Sequence, residues 1–263
     1  MKNLRKYGES SFRVAVIHGG PGAPGEMAPV AKELSSEAGI LEPLQTETSI
    51  EEQIEELKTV LENHGELPVI LIGFSWGAWL SYIFAAKYPS TIIKIILVGS
   101  GPFKEKYAST IMETRLNRLN NEERKEAKYL IKKLSESNTK NKEKELAKFG
   151  KLMSKADSFN PLSSTDKLEN EDFQQEIYHK VWREASELRK SGELLELGKQ
   201  VECPVVAIHG DYDPHPYKGV KEPLSQVVKE FRFVLLEKCG HKPWIEKEVR
   251  NKFYKILEKE LKE

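Results

Sequence analysis

The pentapeptide Gly-Phe-Ser75-Trp-Gly constrains the fold of this chain more than any other feature, because it lies between a buried strand and a helix. An apolar run, residues 68–74, precedes the serine, and a helix-like stretch, residues 78–86, follows it. A serine in such a turn has a strained backbone, and its hydroxyl projects above the edge of the sheet. The flanking glycines are expected because a side chain would clash where strand and helix approach each other. The sequence therefore predicts an accessible, reactive Ser75.

A candidate base and candidate acids follow two later strands. A serine hydroxyl is a weak nucleophile, and it needs a base, usually a histidine held by a carboxylate. The predicted strand 205–209 ends in Gly-Asp211-Tyr-Asp213-Pro, and the predicted strand 231–236 is followed by Cys-Gly-His241. The carboxyl ends of parallel strands lie at one edge of a sheet, where active sites form. The sequence therefore predicts that Ser75, an aspartate and His241 meet there.

A glycine-rich loop near the N-terminus supplies a further candidate. The predicted strand 13–17 is followed by His18-Gly-Gly20-Pro-Gly. A tetrahedral acyl intermediate needs backbone N–H groups that are already aimed at its oxyanion. The residue after the nucleophile, Trp76, supplies one such group, and Gly20 is the candidate for the other, with His18 bracing the loop through hydrogen bonds. The alternative interpretation of the loop is an ordinary Gly/Pro turn.

Apolar runs of strand length alternate with amphipathic stretches along most of the chain. Predicted strands cover residues 13–18, 40–44, 68–74, 92–98, 205–209 and 231–236. Most of them are continuous Val/Ile/Leu runs, which is typical of parallel sheets that are covered on both faces. A helix is predicted over 49–64 with Ser49 as its N-cap, and a final helix over 244–261. Alternating strands and helices indicate an α/β fold.

The alternation stops between residues 99 and 203, where Lys and Glu are abundant and no strand is predicted. Helices are predicted over 121–132, 141–153 and 172–189. Because this stretch interrupts the α/β pattern just before the acid's strand, it is expected to lie above the catalytic edge. We therefore predict a core of residues 1–101 and 201–263 with a helical cap insertion of residues 102–200. Four aromatic side chains are candidate walls of a substrate pocket, with core packing as the alternative: Phe103, Phe159, Tyr178 and Trp182.

Taken together, these motifs resemble the α/β-hydrolase superfamily, and the resemblance covers nearly the whole chain. The His18-Gly-Gly-Pro-Gly loop with Gly-Phe-Ser75-Trp-Gly is most similar to the proline iminopeptidase branch. The resemblance implies an α/β-hydrolase fold, a mainly parallel sheet flanked by helices. It also implies that Ser75 is the nucleophile and His241 the base. Asp213 is preferred to Asp211 as the acid, because its position matches the Gly-x-x-Asp spacing of related hydrolases.

Two features depart from the resemblance. Only twelve residues precede the first core strand, too few for the antiparallel strand pair that usually opens this fold. An aminopeptidase of the iminopeptidase branch would also need a carboxylate facing the substrate amine, and the sequence offers only Glu184 and Glu187 as candidates.

Composition excludes several other classes of function. Lys plus Arg and Asp plus Glu number 41 each, so no global field favours nucleic acid or an anionic membrane. No apolar stretch approaches the roughly 18 residues needed to span a bilayer, and no secretory signal is recognised. The two cysteines, Cys203 and Cys239, have no Cys-x-x-Cys spacing, and no His-x-x-x-His pair occurs. We therefore expect no metal site, and a reduced cytoplasm as the location.

The sequence thus predicts a serine hydrolase that cleaves a small ester or amide through an acyl-enzyme, with no cofactor. We expect a monomer or homodimer with a small-molecule substrate and no nucleic-acid or membrane partner. Three alternatives stay open: an aminopeptidase, a hydrolase of C–C bonds, and a small-molecule receptor with slow or absent turnover.

Overall fold

A seven-stranded sheet forms the centre of the computed structural model, which describes residues 3–135, 142–162 and 174–263. The strand order is β1-β3-β2-β4-β5-β6-β7, with β1 antiparallel to β3 and all other neighbours parallel. The strands are β1 (Leu4–Tyr7), β2 (Val14–Ile17), β3 (Ile40–Pro43), β4 (Val69–Phe74), β5 (Ile92–Val98), β6 (Val205–Gly210) and β7 (Phe231–Leu236). The α/β-hydrolase fold class expected from the sequence is therefore confirmed.

All six predicted strands are present, with ends that differ by at most one residue. The N-terminal β1 was not predicted, because its sequence Leu-Arg-Lys-Tyr carries no apolar run and its side chains are only partly buried. It pairs Leu4 with Pro43 and Tyr7 with Ile40. The described residues before β2 therefore contain one strand, β1, which is antiparallel to β3.

Helices cover both faces of the sheet. They are α1 (Ala28–Leu34), α2 (Ile50–His64), α3 (Trp76–Lys87), α4 (Glu105–Ala108), α5 (Ile111–Arg118), α6 (Asn121–Ser135), α7 (Lys142–Asp157), α8 (Gln175–Ser191), α9 (Glu193–Glu196), α10 (Lys218–Val227) and α11 (Arg250–Lys262). Successive residues of β4 belong to different cores, Leu71 to the one that includes α2, α3 and α8, and Ile72 to the one that includes α1 and α11. This alternation explains the continuous apolar runs, since both faces of the central strands are buried.

The observed starts of two helices, α2 and α11, can be compared with the starts predicted from the sequence. The Ser49 side chain accepts a hydrogen bond from the backbone N–H of Glu52, which confirms the predicted N-cap of α2. The predicted final helix over 244–261 is wrong at its start. A 3₁₀ turn, Pro243–Ile245, comes first, and α11 begins only at Arg250. Between them the carboxylate of Glu246 is fully buried against backbone N–H groups of another segment.

Between β5 and β6, the described residues form helices α4 to α9 joined by turns and loops, and the only β-pairing among them is an isolated bridge between Pro161 and Glu246. Residues of α6 and α7 form a small separate core with Leu119. The predicted helices over 121–132, 141–153 and 172–189 correspond to α6, α7 and α8, although residues 141, 172 and 173 lie outside the described residues. Across the described ranges, no helix is long and apolar enough to cross a membrane.

The approach of α3 to the sheet leaves no room for side chains at two glycines. A Cβ atom at Gly73 would lie 2.2 Å from the carbonyl oxygen of Gly77, and one at Gly77 would lie 2.3 Å from that of Ile17. Both obstacles are backbone atoms, which cannot swing away as the end of a side chain can. The two glycines around Ser75 are therefore required by packing, as expected from the sequence.

We expect Gly73→Ala to lower the free energy of unfolding by about 2 kcal/mol or more, because the clash is with buried backbone. Gly150→Ala is the matched control. At that position in α7 a Cβ meets no described atom within 4 Å, so alanine should stabilise the helix by about 0.5–1 kcal/mol. Urea unfolding of both variants measures the difference, and equal stabilities would contradict the packing argument.

Candidate active site

Ser75 lies at the tip of the turn between β4 and α3, with φ 51° and ψ −109°. A positive φ is rare for a residue with a side chain, and it signals backbone strain. The strained turn is held by a 2.9 Å hydrogen bond from the Ser75 N–H to the carbonyl oxygen of Val98 at the end of β5. The predicted sharp passage from strand to helix is therefore present.

The loops after β6 and β7 bring one aspartate to His241. The Nδ1 atom of His241 lies 2.7 Å from Oδ2 of Asp213, and both side chains are buried. Asp211 instead accepts a 3.2 Å hydrogen bond from the backbone N–H of Cys239. It thus ties the two loops together without touching the imidazole. Of the two aspartates weighed from the sequence, the geometry brings Asp213 to the histidine.

A cavity of about 240 Å³ opens onto the edge of the sheet where these loops meet. Ser75, His241, Phe74 and Gly20 line it together with residues of α7. Because Nδ1 of His241 is engaged by Asp213, its Nε2 is the ring nitrogen left for another partner. The cavity therefore combines a strained serine, a histidine and a glycine-rich loop.

The two candidate oxyanion donors are both at this cavity or next to it. Gly20 lines the cavity with φ 41°. Trp76 is the first residue of α3, where backbone N–H groups have no partner inside the helix. Both ring nitrogens of the buried His18 face carbonyl oxygens, 2.7 Å from Gly19 and 2.9 Å from Leu44. This side chain braces the loop, as the sequence suggested.

The Asp213 carboxylate is surrounded by three imidazoles. Besides His241, the His215 ring contacts Oδ1 at 2.8 Å, and Nε2 of His209 lies 3.3 Å from Oδ2. Burial alone would raise the pKa of Asp213, but the nearby histidines and the hydrogen bond from His215 hold it well below its usual value. Burial also lowers the pKa of His209, and lowers that of His215 to about 4. The carboxylate is thus anionic beside the neutral rings of His209 and His215.

Asp213, His215 and His241 also place one ligand atom each within 4.8 Å of the others, a spacing that a metal ion could use. The hydrogen bonds from the two rings to the carboxylate account for this spacing. The sequence expectation of no metal site remains a prediction.

None of the four aromatic residues predicted to form the pocket lines this cavity. Phe103 is fully buried in the core beside Trp79 and Tyr82. Tyr178 and Trp182 form a stack that continues onto Trp79 of α3.

Phe159 is 41% exposed and contacts Tyr212. The helix that carries Tyr178 and Trp182, α8, packs on α2 and, through Trp182, on Trp79 of α3. Among the described residues, α7 lines the cavity together with Ser75. A substrate-binding role for the four aromatic residues stays a prediction.

The residues of α7 that face the cavity are mostly small or polar, Gly150, Ser154 and Asp157 among them. The sequence prediction considered only aromatic side chains as pocket walls, so it did not include these residues. The available signal was the spacing of small residues on one face of a helix, since positions three or four apart share a face.

Sequence analysis also missed Glu246, which joins α7 to the histidine loop. Its fully buried carboxylate accepts backbone hydrogen bonds from Gly240 at 2.9 Å and from Phe159 and Asn160 at 2.7 Å. In addition, the N–H of His241 donates to the carbonyl oxygen of Asp157 at 2.8 Å. The end of α7 therefore helps to place His241. The only sequence signal was an acidic residue directly after Pro-Trp-Ile.

The two carboxylates among the described residues that line the cavity, Glu26 and Asp157, are paired with cations. Glu26 and Lys242 both line it and lie 2.6 Å apart. The Asp157 carboxylate receives two 2.7 Å hydrogen bonds from the guanidinium of Arg115.

The two amine-binding candidates from the sequence lie elsewhere. Glu184 accepts a hydrogen bond from the N–H of Ile50 at the start of α2, and Glu187 is exposed on α8.

Comparison with known proteins gives a family match over nearly the whole chain. Residues 3–248 match the family model described as "alpha/beta hydrolase fold". A search of curated proteins finds no match.

Solved structures with a similar fold include VinJ, with 16% identity and a TM-score of 0.71 over 98% of this chain and 94% of that one. A monoacylglycerol lipase from Paleococcus ferrophilus is 15% identical, with a TM-score of 0.66 over 98% of this chain and 97% of the lipase. An enol-lactonase from Burkholderia xenovorans LB400 is 16% identical, with a TM-score of 0.63 over 99% and 96%. At these identities the likeness concerns the fold.

If Asp213 orients His241, Asp213→Asn should lower kcat by about 10⁴-fold, because an amide favours the wrong imidazole tautomer. Asp211→Asn is the matched control, since it changes only the loop contact with Cys239, and we expect it to cost less than tenfold. Ester hydrolysis by both purified variants measures the difference. A larger loss for Asp211→Asn would contradict the assignment.

The stability of the protein should fall as the pH decreases from about 6.5 to about 4. The unfolded chain takes up a proton at His215 near pH 6.5, whereas the folded protein does so only near pH 4. The stability from burying a neutral imidazole is therefore complete above pH 6.5 and is lost on acidification through this range. Urea midpoints at several pH values test this, and His215→Asn should show a shallower decline.

Proposed function

The chain belongs to the alpha/beta hydrolase fold family and is a hydrolase by that membership; we propose that it cleaves a small ester or amide through a Ser-His-Asp triad and an acyl-enzyme. One observation carries the proposal. The hydrogen bond between His241 and Asp213 leaves Nε2 of His241 free, and His241 lines the same cavity as the strained Ser75.

In the proposed reaction, Oγ of Ser75 attacks the carbonyl carbon while Nε2 of His241 takes up the hydroxyl proton. Asp213 holds the Nδ1–H tautomer and stabilises the imidazolium that forms. His241 then gives the proton to the departing alcohol or amine, which leaves Ser75 acylated. A water molecule, activated by the same imidazole, attacks the acyl group and releases the acid and the free serine.

The negative charge that develops on the substrate oxygen would be stabilised by backbone N–H groups of Trp76 and Gly20. Trp76 begins α3, and the positive end of the helix dipole favours an anion there. Its indole Nε1 donates to side-chain oxygens of Gln45 and Gln53, both 3.2 Å away, so the ring is fixed. A donor that is held in place before the reaction needs little reorganisation in the transition state.

The size and lining of the cavity support a small substrate. At about 240 Å³ it lies below the usual range of about 300–1,000 Å³ for small-molecule pockets. Residues of α7 line the cavity together with Ser75, so we propose that residues 102–200 act as a cap over the site. Short acyl chains fit such a space better than long ones.

The alternative of an aminopeptidase finds less support. The two carboxylates that line the described part of the cavity, Glu26 and Asp157, are each paired with a cation, and Glu184 caps α2 instead. A hydrolase of C–C bonds would use the same three residues, and a receptor would not need the strained serine.

We further propose a cytoplasmic monomer or homodimer that acts without a cofactor. Both Cys203 and Cys239 are buried free thiols, which suits a reducing compartment.

A fluorophosphonate probe should label the protein at Ser75, and Ser75→Ala should abolish labelling and lower esterase activity by at least about 10³-fold. Ser158→Ala is the matched control, because this serine also lines the cavity and its loss should leave labelling intact. Labelling of another serine, located by peptide mass spectrometry, would overturn the proposal.

Among p-nitrophenyl esters, we expect kcat/KM to fall at least about tenfold from butyrate to octanoate, because each methylene that is misfitted in a small pocket costs about 1–3 kcal/mol. In the same panel, aminoacyl-naphthylamides test for aminopeptidase activity, and a vinylogous diketone tests for hydrolysis of C–C bonds. No turnover of any substrate, together with no labelling, would favour the receptor.

A further inference from the structure

His215 makes two contacts with the proposed catalytic acid. Its backbone N–H and its ring Nδ1 each lie 2.8 Å from Oδ1 of Asp213, while the other carboxylate oxygen, Oδ2, faces His241. A carboxylate can only accept, so the Nδ1 atom of His215 carries the proton and donates it. The two oxygens of Asp213 therefore serve different imidazoles, one in the proposed catalytic position and one beside it.

The ring of His215 also stacks on the ring of His241. The two centroids are 4.5 Å apart with an angle of 29° between the planes. A second ring, Phe74, contacts His241 at 4.7 Å. The imidazole of His241 is thus restrained by neighbouring rings as well as by its hydrogen bond.

The local sequence Asp213-Pro-His215-Pro fixes this arrangement. Each proline has a restricted φ and lacks an N–H group, so the backbone around His215 has little freedom. The bond from the His215 N–H to the Asp213 side chain is the turn-forming contact that aspartate commonly makes two residues ahead. On the other side, Nε2 of His209 lies 2.8 Å from the carbonyl oxygen of His215.

On the basis of the proposed function, we propose that His215 is a positioning residue. Its hydrogen bonds orient the Asp213 carboxylate and reduce the electrostatic attraction of that carboxylate for His241. A carboxylate oxygen that already accepts hydrogen bonds carries less charge for a further donor. The imidazolium of His241 is then stabilised less by Asp213.

The groups around His215 keep it neutral in this role. Burial lowers its pKa to about 4, against the opposing effect of Asp213, and the charges of His241 and of Arg115 on α5 lower it further. His209, on β6, is itself held neutral by burial. Above pH 5, therefore, His215 donates a hydrogen bond without adding a positive charge beside His241.

Two substitutions separate the hydrogen bond from the ring. His215→Asn keeps an N–H donor near the position of Nδ1 but removes the ring, whereas His215→Phe keeps a stacking ring but removes the donor. Both retain the backbone N–H. We expect His215→Phe to move the acid limb of the kcat/KM profile upward by about 0.5–1 pH unit, because a carboxylate that has lost a hydrogen bond attracts the imidazolium of His241 more strongly.

His215→Phe should also lower kcat by about three- to tenfold while KM stays within about twofold, because Asp213 is oriented less firmly. His215→Asn should keep the acid limb within about 0.2 pH unit of wild type. His215→Ala removes both the donor and the ring, and its acid limb should match that of His215→Phe. It replaces His215→Phe if that variant does not fold.

A second readout does not require turnover. In protein labelled with ¹⁵N-histidine, NMR titration follows the protonation of the His241 imidazole directly, and His215→Phe should raise its midpoint by the same amount as the acid limb. An unchanged midpoint in His215→Phe and His215→Ala would overturn the proposal, as would an equal shift in His215→Asn. Failure of the proposed hydrolase activity would instead appear as missing fluorophosphonate labelling at Ser75 with the NMR shift intact.

Discussion

The buried carboxylate of Asp213 is the group on which the geometry of the site depends. An anion with no exposed side-chain surface would be strongly destabilising if it had no partners. Here the N–H groups of His241 and His215 satisfy it, and His209 lies within 3.3 Å. These donors come from β6, from the loop after it and from the loop after β7. The need to satisfy one charge therefore fixes the relative positions of the two loops.

A second buried carboxylate links the loop that carries His241 to the helical segment between β5 and β6. Glu246 accepts backbone hydrogen bonds from Gly240 in the histidine loop and from Phe159 and Asn160 beyond the end of α7. A side chain at Gly240 would clash with the carbonyl oxygen of Asp157, 2.1 Å from its Cβ. Close approach of two backbones and one shared carboxylate thus place the wall of the cavity against the loop that carries His241.

Much of the sheet and of the turn around Ser75 was predictable from the sequence, because local packing requirements determine both. Strands buried on both faces appear as continuous apolar runs, and the glycines around Ser75 are required wherever a helix returns so closely to its strand. The preference for Asp213 over Asp211 followed from spacing and agrees with the observed contacts. The pocket walls were not predictable. Which helix covers the serine is decided by tertiary packing, and the covering helix contributes small and polar residues in place of aromatic ones.

The three hydrogen bonds to Glu246 have a consequence for how a substrate reaches the cavity. If the C-terminal end of α7 were lifted from the sheet, a buried anion would lose two of its donors and the N–H of His241 would lose its acceptor on Asp157. Such an opening would expose the cavity but would also remove hydrogen bonds that position His241. The end of α7 is therefore tied to the loop that carries His241, and separating the two would cost the hydrogen bonds that position the imidazole.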